Sequence, residues 1–203
     1  YINQDNYSAL AAWFQTDAWS GRAPVIKNLA DGAAAFDENG LARDDSRWVA
    51  FNYKPVPSTF WPTNGSTDDV MIRLPDAFSE IDGQYSRDVY FANLTLVEMA
   101  IVDKDHLPSI ALDEAASGID FNADGQLDSA VQSVARATHY FGDAKDISVA
   151  HMLYPEGTEF LHTVRYVGID ANGGITNAKR MKEVRYMRKD TFMPKERLVN
   201  SYY

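Results

Sequence analysis

The sequence predicts an α+β protein in which helix predominates, with a small sheet and long irregular loops. Three observations carry this expectation. Apolar residues recur at helical spacing for more than four turns over residues 87–104. Shorter stretches at 6–19, 129–141 and 176–189 repeat that spacing. A single clear alternation, at 159–168, reads as strand.

Taken in order, residues 6–19 place Tyr7, Leu10, Ala11, Phe14 and Ala18 on one side after the polar cluster Asn3, Gln4, Asp5 and Asn6, which can cap a helix. Gly21 and Pro24 end it, and residues 20–46 read as surface loops rich in turn formers such as Asn39, Gly40, Asp44 and Asp45. Residues 48–53 alternate loosely as a strand. Pro55, Pro57 and Pro62 then forbid regular structure through Phe60 and Trp61, leaving a rigid aromatic loop. Ser66 or Thr67 caps an expected short helix over 68–74, where Asp68 and Asp69 suit the helix dipole.

The helix over 87–104 carries Val89, Tyr90, Leu94, Val97, Ala100 and Ile101 on its core face. Ala130, Val131, Val134 and Ala137 predict a second helix over 129–141, and Asp170-Ala-Asn-Gly-Gly174 predicts a turn after the 159–168 strand. Met181, Val184, Arg185 and Arg188, following Thr176 as cap, predict a short basic helix over 176–189.

With 203 residues, 45% of them hydrophobic, the chain can close one sizeable core, so residues 1–203 are expected to form a single domain. Charge is unevenly spread within it. The total is -10, yet residues 176–203 hold eight Lys or Arg against Glu183, Asp190 and Glu196, so a basic helix and tail of +5 follows an acidic body, 1–175, of -15. An acidic body repels a phosphate backbone, and no nucleic-acid partner is expected. Apolar runs fall far short of the ~20 residues that cross a bilayer, so no membrane span is expected either.

The sharpest local pattern is Asp120-Phe-Asn122-Ala-Asp124-Gly125-Gln126-Leu127-Asp128, which matches the first nine positions of an EF-hand-type calcium loop. Oxygen-bearing side chains at alternate positions, Asp120, Asn122 and Asp124, face one ion. Gly125 permits the sharp turn, Gln126 offers its backbone carbonyl, Leu127 packs beneath, and Asp128 closes the near side. The pattern departs at position 12, where Val131 stands in place of a bidentate Glu. Asp128, a neighbouring acid such as Asp113 or Glu114, or water then has to supply the missing oxygens. Loops of this shorter kind bind Ca2+ weakly, at ~10⁻⁴ to 10⁻³ M, which suits a periplasmic or extracellular location. The competing reading is an Asx-rich turn that caps a following helix without an ion.

Zero cysteines exclude disulfides, thiolate catalysis and covalent haem attachment within this chain. No Gly-x-Ser-x-Gly elbow or His-Glu-x-x-His pair is present. Carboxylates for an Asp/Glu-dependent hydrolase are available at Asp68, Asp69, Glu156 and Glu159. Trp48, Tyr53, Phe60 and Trp61 can stack on sugars, or can simply cover a core.

Three stretches carry a further likeness. Residues 46–78, beginning Ser-Arg-Trp-Val-Ala-Phe-Asn-Tyr-Lys-Pro-Val-Pro, residues 154–168, Tyr-Pro-Glu-Gly-Thr-Glu-Phe-Leu-His-Thr-Val-Arg-Tyr-Val-Gly, and residues 178–189, Ala-Lys-Arg-Met-Lys-Glu-Val-Arg-Tyr-Met-Arg-Lys, resemble segments of large exported bacterial proteins that carry c-type haem motifs elsewhere. The resemblance implies a non-haem scaffold or subunit of a c-type cytochrome electron-transfer system, its haem c held by a neighbouring haem-bearing cytochrome polypeptide. His139, His151 and His162 are then candidate axial ligands or hydrogen-bond partners of that haem. The reading of the whole chain is an exported calcium-binding protein in such a system. A secreted calcium-dependent carbohydrate-binding module and an Asp/Glu-dependent hydrolase are the alternatives.

Overall fold

A computed structural model describes Ile26, residues 29–51 and residues 70–202. The expected helix at 6–19 and the proline-rigidified loop with Tyr53, Phe60 and Trp61 lie outside those residues.

Among the described residues the chain is strand-rich, which corrects the expected predominance of helix. A 3-10 helix at Leu29–Ala35 leads into β1 (Val49–Phe51) and β2 (Val70–Arg73). A second 3-10 turn, Asp76–Ser79, precedes the small hairpin β3 (Glu80–Ile81) and β4 (Gln84–Tyr85). The long helix α1 (Arg87–Val102) follows, then β5 (His106–Leu112), the single-turn α2 (Glu114–Ser117) and β6 (Val131–Ala135). After a 3-10 turn at Gly142–Ala144 come β7 (Glu159–Ile169), β8 (Ile175–Arg188) and the short α3 (Lys195–Tyr202). The main sheet is antiparallel with order β1-β2-β7-β8, while β3-β4 and β5-β6 form separate two-stranded ladders.

The expected helix at 87–104 forms as α1, and its caps explain its ends. Ser86 accepts the Val89 N–H at the start, and Asp103, in the left-handed region, returns its N–H to Met99 at the end. Val89, Tyr90, Leu96, Val97 and Met99 bury into a core shared with Phe78, Leu112, Phe121 and Val134. Asn93 is buried there without being orphaned: its amide donates to the carbonyls of Phe78 (2.9 Å) and Phe141 (3.1 Å) and accepts the Phe141 N–H (2.8 Å). A second cluster, Trp48, Met71 and Leu161 with Phe36 and Ala42, packs on the main sheet. Residues 29–46, expected to be surface loop, therefore contribute to a core.

Three expected helices are strands. Residues 70–73 pair with β1 and β7, residues 131–135 pair with β5, and residues 175–188 pair with β7. The physical reason is tertiary pairing. In the last case the Asp170–Gly174 turn closes a hairpin in which Tyr186 sits opposite buried Leu161 and Val184 opposite buried Thr163. That two-residue period outweighs the 3–4 spacing of Met181, Val184 and Arg188. Of the basic C-terminal end, only Lys195–Tyr202 is helical. The alternation at 159–168 and the turn at 170–174 form as expected, as does a strand within 48–53. No helix among the described residues is long and apolar enough to cross a membrane.

Candidate functional site

The stretch from Asp120 to Asp128 is suspended between α2 and β6, and its own side chains shape it. The Asp120 carboxylate accepts the N–H of Ala123 (2.7 Å) through one oxygen and of Gly125 (2.8 Å) through the other. Asn122 then accepts the Asp124 N–H (2.9 Å), and Asp124 the Gln126 N–H (2.8 Å). The Asn122 amide also donates to Asp124 at 3.0 Å. Each oxygen-bearing residue thus ties the backbone two to five positions ahead, winding the chain into a tight turn with Ala123 at φ 61 and Gly125 at φ 83. Gly125 suits that conformation without a Cβ penalty, whereas Ala123 is held there by its neighbours.

Beneath the turn lies a buried carboxylate. Glu114, the first residue of α2, is fully excluded from solvent. One of its oxygens accepts the N–H groups of Phe121 (2.6 Å) and Asn122 (3.1 Å), and the other accepts that of Asp128 (3.2 Å). The Asp128 carbonyl returns the contact by accepting the Glu114 N–H at 2.9 Å. Entry and exit of the turn are therefore stapled to one residue. Of the two acids expected to complete a calcium shell, Glu114 is committed to the backbone as this brace, and Asp113 caps α2 by accepting the Ala116 N–H at 2.8 Å. The brace is what the sequence reading missed. Local spacing carries no signal for it, because Asp113 and Glu114 stand side by side ahead of the Asx-rich loop and only the fold turns one of them inward.

Two expected details fail. Leu127 is 50% exposed rather than packed away beneath the turn, and the element after Asp128 is the strand β6, so the turn caps no helix. Aspartate, asparagine amide and backbone carbonyl oxygens are the hard donors that suit Ca2+. Among the described residues, however, no three His, Cys, Asp or Glu side chains group as a metal cluster. A bound ion would therefore draw on the Asn122 amide, the Gln126 carbonyl and water beside the carboxylates of Asp120, Asp124 and Asp128.

The remaining candidates are dispersed. His139 is exposed in a loop, its ring nitrogens 3.0 Å from the Thr138 hydroxyl and 3.2 Å from that of Ser148. His151 occupies a turn near the end of α1, where Met152 donates to the Ala100 carbonyl. His162 lies within β7 opposite Arg185. Asp68 and Asp69 are outside the described residues. Glu156 accepts the Phe192 N–H at 2.8 Å, and Glu159 bonds Arg73 at 2.6 Å and the Tyr186 hydroxyl. Burial works against ionisation of Glu159, but the bonds from Arg73 and Tyr186 outweigh it and hold the carboxyl below its ordinary range. A carboxyl so held is a poor general acid. The Tyr186 hydroxyl is pushed up to about 12, by burial first and by Glu159 second. Trp48 is wholly buried beneath Arg73, so it offers no face to a sugar.

Comparison with known proteins gives a consistent direction. A lipoprotein family profile matches residues 26–200. A relative from Aquifex aeolicus (strain VF5), described as an uncharacterized lipoprotein, is 33% identical over 93% of this chain. The chain spans about a third (32%) of that relative's length. No solved structure matches. The matched proteins are lipoproteins rather than c-type cytochromes or EF-hand proteins, which corrects both resemblances and removes the ground for a haem beside His139, His151 or His162.

Proposed function

Since the chain belongs to this lipoprotein family, we propose that it is a calcium-stiffened module of an exported, membrane-anchored protein working in the periplasm or at the cell surface. Membership of a lipoprotein family supports the exported, membrane-anchored setting; the calcium role is the finer step. The observation that supports that step is the winding of residues 120–128. Asp120, Asn122 and Asp124 stand at alternate positions around a turn built by their own bonds to the backbone, with Gly125 at its sharpest point. Such a turn gathers hard oxygens, and a divalent cation offsets the mutual repulsion of Asp120, Asp124 and Asp128. The Glu114 brace fixes the frame that the ion would lock.

The experiment is a calorimetric titration of the chain with CaCl2 beside Asp124→Ala. Millimolar or tighter binding that the substitution abolishes supports the proposal. Absence of heat together with an unchanged melting temperature up to 10 mM calcium overturns it. Asp124→Asn, which keeps an acceptor for the Gln126 N–H while removing the charge, separates loss of an ion ligand from loss of the turn.

A further inference from the structure

We propose that Met152, Met187 and Met193, gathered at the base of the β7–β8 hairpin, form a reversible oxidation site. The oxidant is an electrophilic two-electron reagent such as hypochlorous acid, and a thiol-dependent methionine sulfoxide reductase provides the return path. Neither step depends on bound calcium.

With 6 Met and 0 Cys, thioethers are all the sulfur the chain carries. Such sulfur is soft and polarisable, and it reacts where a reagent can reach it. The fold sorts the six by access. Met71 and Met99, each 1% exposed, sit one in each core, and Met181 is half-buried on β8. Met152, Met187 and Met193 are 60%, 63% and 40% exposed.

Contacts bring the stretches that carry these three to one end of the molecule, opposite the 170–174 turn. Met187 is the register partner of Phe160, whose ring meets that of Tyr154 edge-on with 4.8 Å between centroids. Lys189, two residues beyond Met187, donates to the Tyr154 carbonyl and holds its ammonium 5.0 Å from the centre of the Phe192 ring. Phe192, next to Met193, donates its N–H to Glu156 at 2.8 Å. Met152 stands two residues before Tyr154, its N–H bonded to the Ala100 carbonyl at 2.9 Å.

Oxidation turns each thioether into a polar sulfoxide. The sulfur lone pair attacks chlorine and releases hydroxide; water then displaces chloride at sulfur and, having lost its protons, remains as the sulfinyl oxygen. Net, the thioether gains one oxygen while hypochlorous acid becomes chloride and a proton. The reductase oxidises two thiols to a disulfide, and the oxygen leaves as water. At the three exposed positions the new oxygen is solvated. At Met71 or Met99 it would be buried among apolar side chains, a costly place for an unpaired acceptor. The exposed set therefore takes the oxidant with little loss of stability, and the core pair is out of reach until the chain unfolds.

The test treats the folded chain with three molar equivalents of hypochlorous acid, quenches with free methionine, and reads tryptic peptides by mass spectrometry. The Met152, Met187 and Met193 peptides each gain one oxygen, at about ten times or more the level found at Met71 and Met99. The melting temperature falls by less than about 3 °C. Added afterwards, the reductase with dithiothreitol removes the oxygens from the folded protein. In 8 M urea all five peptides react alike, which assigns the selectivity to the fold rather than to sequence neighbours. Met152→Leu, Met187→Leu and Met193→Leu together keep side-chain volume and lose the uptake while melting as wild type does. Oxidation of Met71 or Met99 in the folded chain on a par with the exposed three overturns the proposal. So do exposed methionines left reduced at that dose, or sulfoxides that the reductase does not remove.

Discussion

At the scale of single residues, Glu114 concentrates the account. Its carboxylate is the shared acceptor for three backbone N–H groups, and Glu114→Ala leaves those donors facing a buried gap. We expect a loss of about 3 kcal/mol, read as a fall in melting temperature of roughly 6–12 °C, with Glu114→Gln intermediate. A Glu114→Ala protein as stable as wild type refutes the brace. Glu159 makes a different demand, on pH. Its folded-state pKa is depressed, so its contribution is present above the ordinary carboxyl range and is lost as pH falls through the folded value. Urea unfolding of wild type should therefore lose stability from pH 5 downward more steeply than Glu159→Gln; parallel acid limbs contradict the Arg73–Glu159–Tyr186 linkage. The oxygen pattern of Asp120, Asn122 and Asp124 was legible in the sequence because its signal is local. The buried partner was not, since nothing in the run Asp113-Glu-Ala-Ala shows which of two adjacent acids turns inward.

Elements were legible where one period stood alone. The helix from Arg87 to Val102 has its apolar face, its Ser86 cap and its left-handed terminus within one window, and β7 alternates without competition. The stretches that became β6 and β8 mix helical and strand spacing, and their partners, β5 and β7, decide between them. Short segments whose side chains suit both states take the form their neighbours can hydrogen-bond. Gly142 shows how tightly the smaller elements fit: at φ +66, a Cβ there would stand 2.3 Å from the Glu80 carbonyl oxygen and 2.8 Å from Val89. Backbone cannot yield that much, so Gly142→Ala should cost about 2 kcal/mol or more and separate the 3-10 turn at 142–144 from β3. Hydrogen exchange at Asp82 and Gly83, whose N–H groups bond Asp143 at 2.8 Å, reports that loosening directly. Unchanged protection there argues against it.

Across the whole molecule, charge is segregated along the sequence, an acidic body of -15 being followed by a basic stretch of +5. The proposed calcium loop lies in the acidic part, where a bound cation would lower self-repulsion. The ion's thermodynamic signature follows from mass action: calcium at ten times its dissociation constant adds about 1.4 kcal/mol, or roughly 3–6 °C for a chain of this size. The most direct measurement is the melting temperature of the wild type and of Asp124→Ala, each in EGTA and in 10 mM calcium. We expect a rise of that size for wild type and none for the variant; a wild-type melting temperature indifferent to calcium removes the ion from the 120–128 turn.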